Sequence, residues 1–249
     1  MTAHKAYAVI DFETTGFGGA DRVIEVGVVL LDRNLDIEDQ WETLVRPERD
    51  ISNSFVHHIT ASDVTNAPTF SHIAKYLAHS LAGRSVIAHN APFEARFLTN
   101  EFARLGLSWP QYGAWVVDTL RLAKHAYPGE SGSLENLTRM CGLTNTHPHA
   151  ALGDALVTAE LFAHLVTEAG IRVSSEPLVL PSFEYPEPGL ILPRGMKVPM
   201  PFTSHIVGND DMSGSDATLA HSLDDPHSDI DDGGAQSASW LKRLASKLR

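Results

Sequence analysis

Cysteine is almost missing. Cys141 is the only one in 249 residues, which excludes an internal disulfide framework and fits a reducing compartment. No run approaches the roughly 18 consecutive apolar residues of a membrane span, and the N-terminus lacks the apolar core of a secretion signal. A soluble, cytoplasmic protein with no membrane span is the expectation. Positive charge is scarce too: 19 Lys and Arg stand against 31 Asp and Glu, a formal net charge of −12. At first sight that argues against nucleic acid, whose binding surfaces are usually basic. The distribution softens the objection. Residues 203–238 carry eight Asp and no Lys, Arg or Glu, supplying −8 alone, whereas residues 1–172 hold 13 basic and 20 acidic side chains, a net of −7. Bound divalent cations also reverse the local field at an acidic site.

Periodicity is missing after residue 172. Residues 173–202 contain seven prolines and neither a helical nor a strand period, so they read as an extended strap packed on the domain. Residues 203–238, rich in Asp, Ser and Gly and poor in aromatics, carry a disorder signature. Residues 239–249 read as a short basic amphipathic helix, with Trp240, Leu241, Leu244 and Leu248 on one face and Lys242, Arg243 and Lys247 on the other. Before residue 172 strand and helix signals alternate. AYAVIDF (6–12), RVIEVGVVLLD (22–32) and DQWETLVRP (39–47) read as three strands, the first two dense enough to be buried. A helix fits 67–83, closed by Gly83, and a short strand fits 84–90. Asn90 reads as the cap of a helix whose first turn holds Pro92. A strand turning helical fits 115–127, and helices fit 133–143 and 149–170, with Cys141 as core of the former. Three strands in meander followed by helix–strand units predict an α/β fold: a mixed sheet with helices on both faces, formed by residues 1–172.

The acids carry the chemistry. Asp11 and Glu13 end the first strand two residues apart, so they share one face of it. Two ionised acids that close repel unless positive charge lies between them. Glu94 lies on the side of its helix that Phe97 and Leu98 occupy. A carboxylate there must find a partner, stay at the rim or bind a cation, because burying it alone is costly. Asp154 opens a strongly amphipathic helix, and His149 precedes it by five residues at the helix entrance. Four carboxylates from three elements, with one imidazole, suit two-cation phosphoryl hydrolysis. Hard oxygen ligands select Mg²⁺ or Mn²⁺ over zinc, and a histidine can take a proton from water near neutral pH.

The motifs VIDFETTG, HNAPFEARFL and HAALGDA occur in this order over residues 5–170. Together they resemble the DEDD 3′–5′ exonucleases, in the DnaQ-like DEDDh branch with a catalytic histidine, which includes the proofreading epsilon subunit of bacterial DNA polymerase III. The resemblance implies a ribonuclease H-like fold. It implies that Asp11, Glu13 and Asp154 hold the tighter metal, Asp11 bridging to the second, and that His149 rather than His147 is the general base. By the same resemblance, Thr14, Thr15 and Gly16 would approach the terminal nucleotide through backbone groups. Phe17 and Ile59 would meet its base, and Asn90 is counted with them as substrate-binding. Asp118 is expected to be structural. Two positions depart from the family: Glu94 stands where the motif has Asp, and His58 where the family commonly has Gly. The implied partners are single-stranded or frayed 3′ ends of DNA or RNA. An interaction module of a replication or repair complex, weak in catalysis, is the competing reading. The helix 239–249 suggests docking to a protein partner, with membrane-surface contact and nucleic-acid contact by its four basic side chains as the alternatives.

Overall fold

The computed structural model describes residues 6–181; the acidic segment 203–238, the helix 239–249 and the remainder of the Pro-rich segment lie outside the described residues. Three strands come first: β1 (Tyr7–Thr14), β2 (Val23–Leu31) and β3 (Ile37–Leu44). Two one-turn helices, α1 (Ser54–His57) and α2 (Ala61–Val64), precede α3 (Phe70–Leu81). Then follow β4 (Ser85–Ala88), α4 (Pro92–Arg104), β5 (Val116–Asp118), α5 (Thr119–Ala126), α6 (Leu134–Met140) and α7 (Ala151–Thr167).

The sheet order is β3-β2-β1-β4-β5. β2 pairs antiparallel with β1 and β3, and β4 pairs parallel with β1 and β5, so the sheet is mixed as expected. β1 is central and buried on both faces, which is why its sequence is a continuous apolar run. Its alternate side chains divide the core. Ala8, Ile10 and Phe12 pack with α3 and α4 through Phe70, Leu77, Phe97 and Phe102. Val9, on the other face, packs with Val29, Ile87 and Val117 under Ala155, Ala159 and Phe162 of α7. Residues two apart on β1 share a face, so Asp11 and Glu13 lie on the α7 side.

The first part of the Pro-rich segment is bonded to the domain. Leu178 N–H donates to the Arg84 carbonyl at 2.7 Å, Gly83 N–H donates to Leu178 at 2.9 Å, and the Leu178 side chain lies in the core beside α3. Gly83 adopts φ +77, the left-handed conformation that ends a helix without a Cβ penalty. An ion pair with its acid buried fastens α4 to the sheet: Glu101, 1% exposed, accepts from the partly exposed Arg22 Nε at 2.8 Å and from Val23 N–H at 3.1 Å. Removing Glu101 leaves the buried Val23 N–H without its acceptor and Arg22 without its counter-charge. We expect Glu101→Ala to destabilise the fold by about 3 kcal/mol, read as a lowered midpoint in urea.

Three local readings change. α1 and α2 carry no periodic signal, because one turn is too short to show one. Asn90 is not the cap of α4: that place is Ala91, and no side-chain bond caps it. Asn90 instead takes φ +70, which Asn tolerates better than most residues, and donates its N–H to Asp118 Oδ1 at 3.1 Å. Cys141 is partly exposed at the end of α6 rather than buried within it.

Candidate active site

The site forms where β1, α4 and α7 converge. In the β1–β2 register Asp11 faces Gly27 and Glu13 faces Glu25. Gly27 has a specific task. A Cβ there would lie 2.3 Å from the backbone of Ala151, so only glycine lets the first turn of α7 settle onto the sheet beside Asp11. Glu25 Oε2 then accepts the Ala151 N–H at 2.8 Å, placing a carboxylate at the positive end of that helix. Neither residue stands out in the sequence, because each looks like an ordinary member of a strand. We expect Gly27→Ala to lift α7, cost about 2 kcal/mol or more, and lower activity with stability; thermal melting and a nuclease assay check both.

Asp154 lies in the first turn of α7. Asn145 Nδ2 donates to its Oδ1, and the His149 N–H donates to its Oδ2 at 3.3 Å. His149 itself is exposed, with φ +63. Glu13, His149 and Asp154 each bring one ligand atom within 4.8 Å of the others. His147 is not in this group: its Nδ1 meets Thr146 Oγ1 at 2.9 Å, and its carbonyl packs on Gly153.

Glu94 is not a rim residue. It is 4% exposed in the first turn of α4, and its Oε2 has no hydrogen-bond partner. Burial pushes its carboxyl well above the usual range, and the Asp118 and Glu13 carboxylates add to this against its own backbone N–H and Arg96. Asp11 is raised strongly as well, by burial and then by Glu94, Asp154, Glu13 and Glu25. Glu13 is pushed up to about 8 by burial and by Asp154 and Glu25. Asp154 is raised by burial, although its bonds from Asn145 and His149 oppose this. Four acids raised by burial, three of them also by neighbouring carboxylates and one with an orphaned buried oxygen, want positive charge among them. An oxygen-rich donor set with one imidazole and no thiol fits hard divalent cations.

The other predicted residues divide. Phe17 is 70% exposed, 6.2 Å from the Phe93 ring. Ile59 is half-buried after α1 and donates its N–H to His57 Nδ1. Asn90 is exposed beside α4. Thr14 is buried and donates its hydroxyl to the Gly16 carbonyl at 2.8 Å. Thr15 is engaged internally at every polar group: its N–H donates to Arg22, its carbonyl accepts from Ser52 and its hydroxyl donates to Asp21. Its backbone therefore shapes the loop that carries Gly16 and Phe17. His58 takes φ +61 at the end of α1, a conformation that glycine adopts at no cost. Asp118 is structural: its Oδ1 accepts from Asn90 and Leu120, tying β4 to α5. His57, unremarked in the sequence, is buried at the end of α1 and has its pKa lowered by burial, His58 and His149.

The family pattern for exonucleases (RNase_T) matches residues 8–162. The chain is 36% identical over 170 residues to the DNA polymerase III subunit epsilon of Treponema pallidum, covering 66% of this chain and 77% of that protein. It is 34% identical over 178 residues to the PolC-type DNA polymerase III of Caldanaerobacter subterraneus, covering 68% of this chain but 12% of that much longer protein. Among solved structures, exonuclease X in complex with 5′ overhanging duplex DNA aligns with TM-score 0.55 and 27% identity, over 69% of this chain and 97% of that one. The nuclease domain of 3′hExo, a DEDDh family member bound to rAMP, shares the fold at TM-score 0.59 and 21% identity, over 70% and 98% of the two chains. A ribonuclease H-like sheet, three motifs in order and acids gathered from β1, α4 and α7 converge on one assignment: this chain belongs to the exonuclease family, in its DnaQ-like, DEDDh-type branch.

Proposed function

We propose that the enzyme hydrolyses nucleic acid from the 3′ end, one nucleotide at a time, using two divalent cations, Mg²⁺ or Mn²⁺. The observation that carries this is Glu94, whose carboxyl is buried with Oε2 unpartnered, while the Asp11, Glu13 and Asp154 carboxyls are raised with it. Those four acids would hold the cations, Asp11, Glu13 and Asp154 the tighter one and Glu94 the other. When bound, such ions supply the positive charge and Lewis acidity that phosphodiester hydrolysis needs. An imidazole nitrogen of His149 takes the proton of the attacking water. Its nearness to Glu13 and Asp154 supports that role. Phe17, Ile59, Thr14, Gly16 and Asn90 would flank the terminal nucleotide, the aromatic ring offering a face on which a base stacks.

The substrates would be single-stranded or frayed 3′ ends of DNA or RNA. Similarity to a polymerase III epsilon subunit supports work beside a polymerase in the cytoplasm. In the same proposal, residues 1–172 are the exonuclease domain and the helix 239–249 docks to a protein partner. No helix among the described residues is long and apolar enough to cross a membrane.

Matched single-stranded DNA and RNA, labelled at the 5′ end, test the proposal with Mg²⁺, Mn²⁺ or EDTA. A cation-dependent ladder shrinking from the 3′ end is expected, and the DNA/RNA ratio gives the preference. A folded protein yielding no product with either ion would favour the interaction-module reading.

A further inference from the structure

A second feature of the loop after β1 leads away from the acids. An open cavity of about 480 Å³ is lined by Ala20, Arg22, Arg49, Asp50 and Arg104. In a chain of net charge −12, three guanidinium groups around one acid are a local exception. Each is held in place. Arg22 is bonded to Glu101 and the Pro47 carbonyl, Arg49 to the Ala20 carbonyl and Asp21, and Arg104 to the Gly19 carbonyl at 3.2 Å. Neither Glu101 nor Asp21 lines the cavity. The bonds named use only part of the five N–H donors each guanidinium carries. Pre-positioned forks of this kind match the oxygens of a phosphate.

The loop joins this cavity to the site. Phe17 stands against Phe93, next to Glu94 in the first turn of α4, and Gly19 is bonded to Arg104 in the last turn. Ten residues of helix separate Glu94 from Arg104, a rise of about 15 Å. From this placement we infer that the Arg22–Arg49–Arg104 cavity holds a backbone phosphate of the strand being degraded, some nucleotides inside its 3′ end. The inference rests on the proposed exonuclease function and adds to it a grip on substrates long enough to reach. It makes binding depend on length, so the enzyme favours polynucleotides over very short oligonucleotides.

The test compares a trinucleotide with a 15-mer of thymidine, each as substrate for the wild-type chain, Arg104→Gln and Asp50→Asn, over a range of KCl. In the wild type the 15-mer has the lower KM. Arg104→Gln raises the 15-mer/trinucleotide KM ratio about five-fold and makes it less steeply dependent on salt, as loss of one phosphate contact should. Asp50→Asn, which removes the cavity's one acid, lowers that ratio. Loss of a purely structural tether would not produce this opposite change. Equal KM values for the two lengths in the wild type, or variants that move both lengths together, overturn the inference while leaving the exonuclease reading intact. Absence of hydrolysis at either length by the wild type overturns both.

Discussion

His149→Ala lowers kcat on an oligonucleotide by about 10²–10⁴-fold, the usual worth of a positioned general base. KM changes little, because the imidazole acts on the water and not on the bound strand. The expectation rests on position. His149 reaches Glu13 and Asp154 from a left-handed backbone in front of α7, whereas His147 is turned toward Thr146. Single-turnover rates with saturating cation give the answer directly. A loss below tenfold would remove His149 from proton transfer, and a large loss in His147→Ala instead would exchange their roles. Both residues are exposed, so neither variant opens a cavity in the core.

The second large effect appears without substrate. In EDTA the protein loses stability as pH rises from about 4.5 to 8, and added Mn²⁺ or Mg²⁺ restores it. The folded state keeps protons on acids that the unfolded chain releases near their ordinary values. Glu13 is pushed from 4.5 to about 8, and Asp11, Glu94, Asp154 and Glu25 are all raised in the same sense. For a raised acid the folded state binds more protons across that window, so stability is complete below the unfolded value, falls with rising pH and levels off above the folded one. Cation binding to the folded state alone opposes this by mass action, most strongly at the alkaline end. We expect the metal-free melting temperature to fall by about 10 °C or more between pH 5 and 8, and the difference made by cation to widen with pH. A metal-free melting temperature that climbs over this range would show that the acids are not crowded as described.

Much of this site was legible in the sequence, and for definite reasons. Asp11 and Glu13 announce themselves because acids at the end of an apolar central strand are costly. Glu94 does so because it interrupts an apolar stripe, and burial with an unpaired oxygen is what that interruption means in the fold. Gly83, read as a helix stop, follows α3 with positive φ. What the sequence hid was long-range. Glu25 bonds Ala151, 126 residues away, and Gly27 is required only because α7 lands on it. No local pattern marks either. Asn90 misled because a good capping residue before Pro92 looks like a helix start, while the chain uses its tolerance for positive φ. The arginine cavity has no local pattern either, since its three guanidinium groups come from β2's entrance, the loop after β3 and the end of α4.

The central claim is that Asp11, Glu13, Glu94 and Asp154 together hold two cations. Calorimetric titration of the full chain with Mn²⁺ at pH 8, wild type beside Glu94→Gln, tests it most directly. The account predicts two ions per wild-type chain and one per Glu94→Gln chain, the tighter site retained on Asp11, Glu13 and Asp154. A wild-type chain that binds a single ion, or a Glu94→Gln chain that binds two as tightly as the wild type, would contradict it.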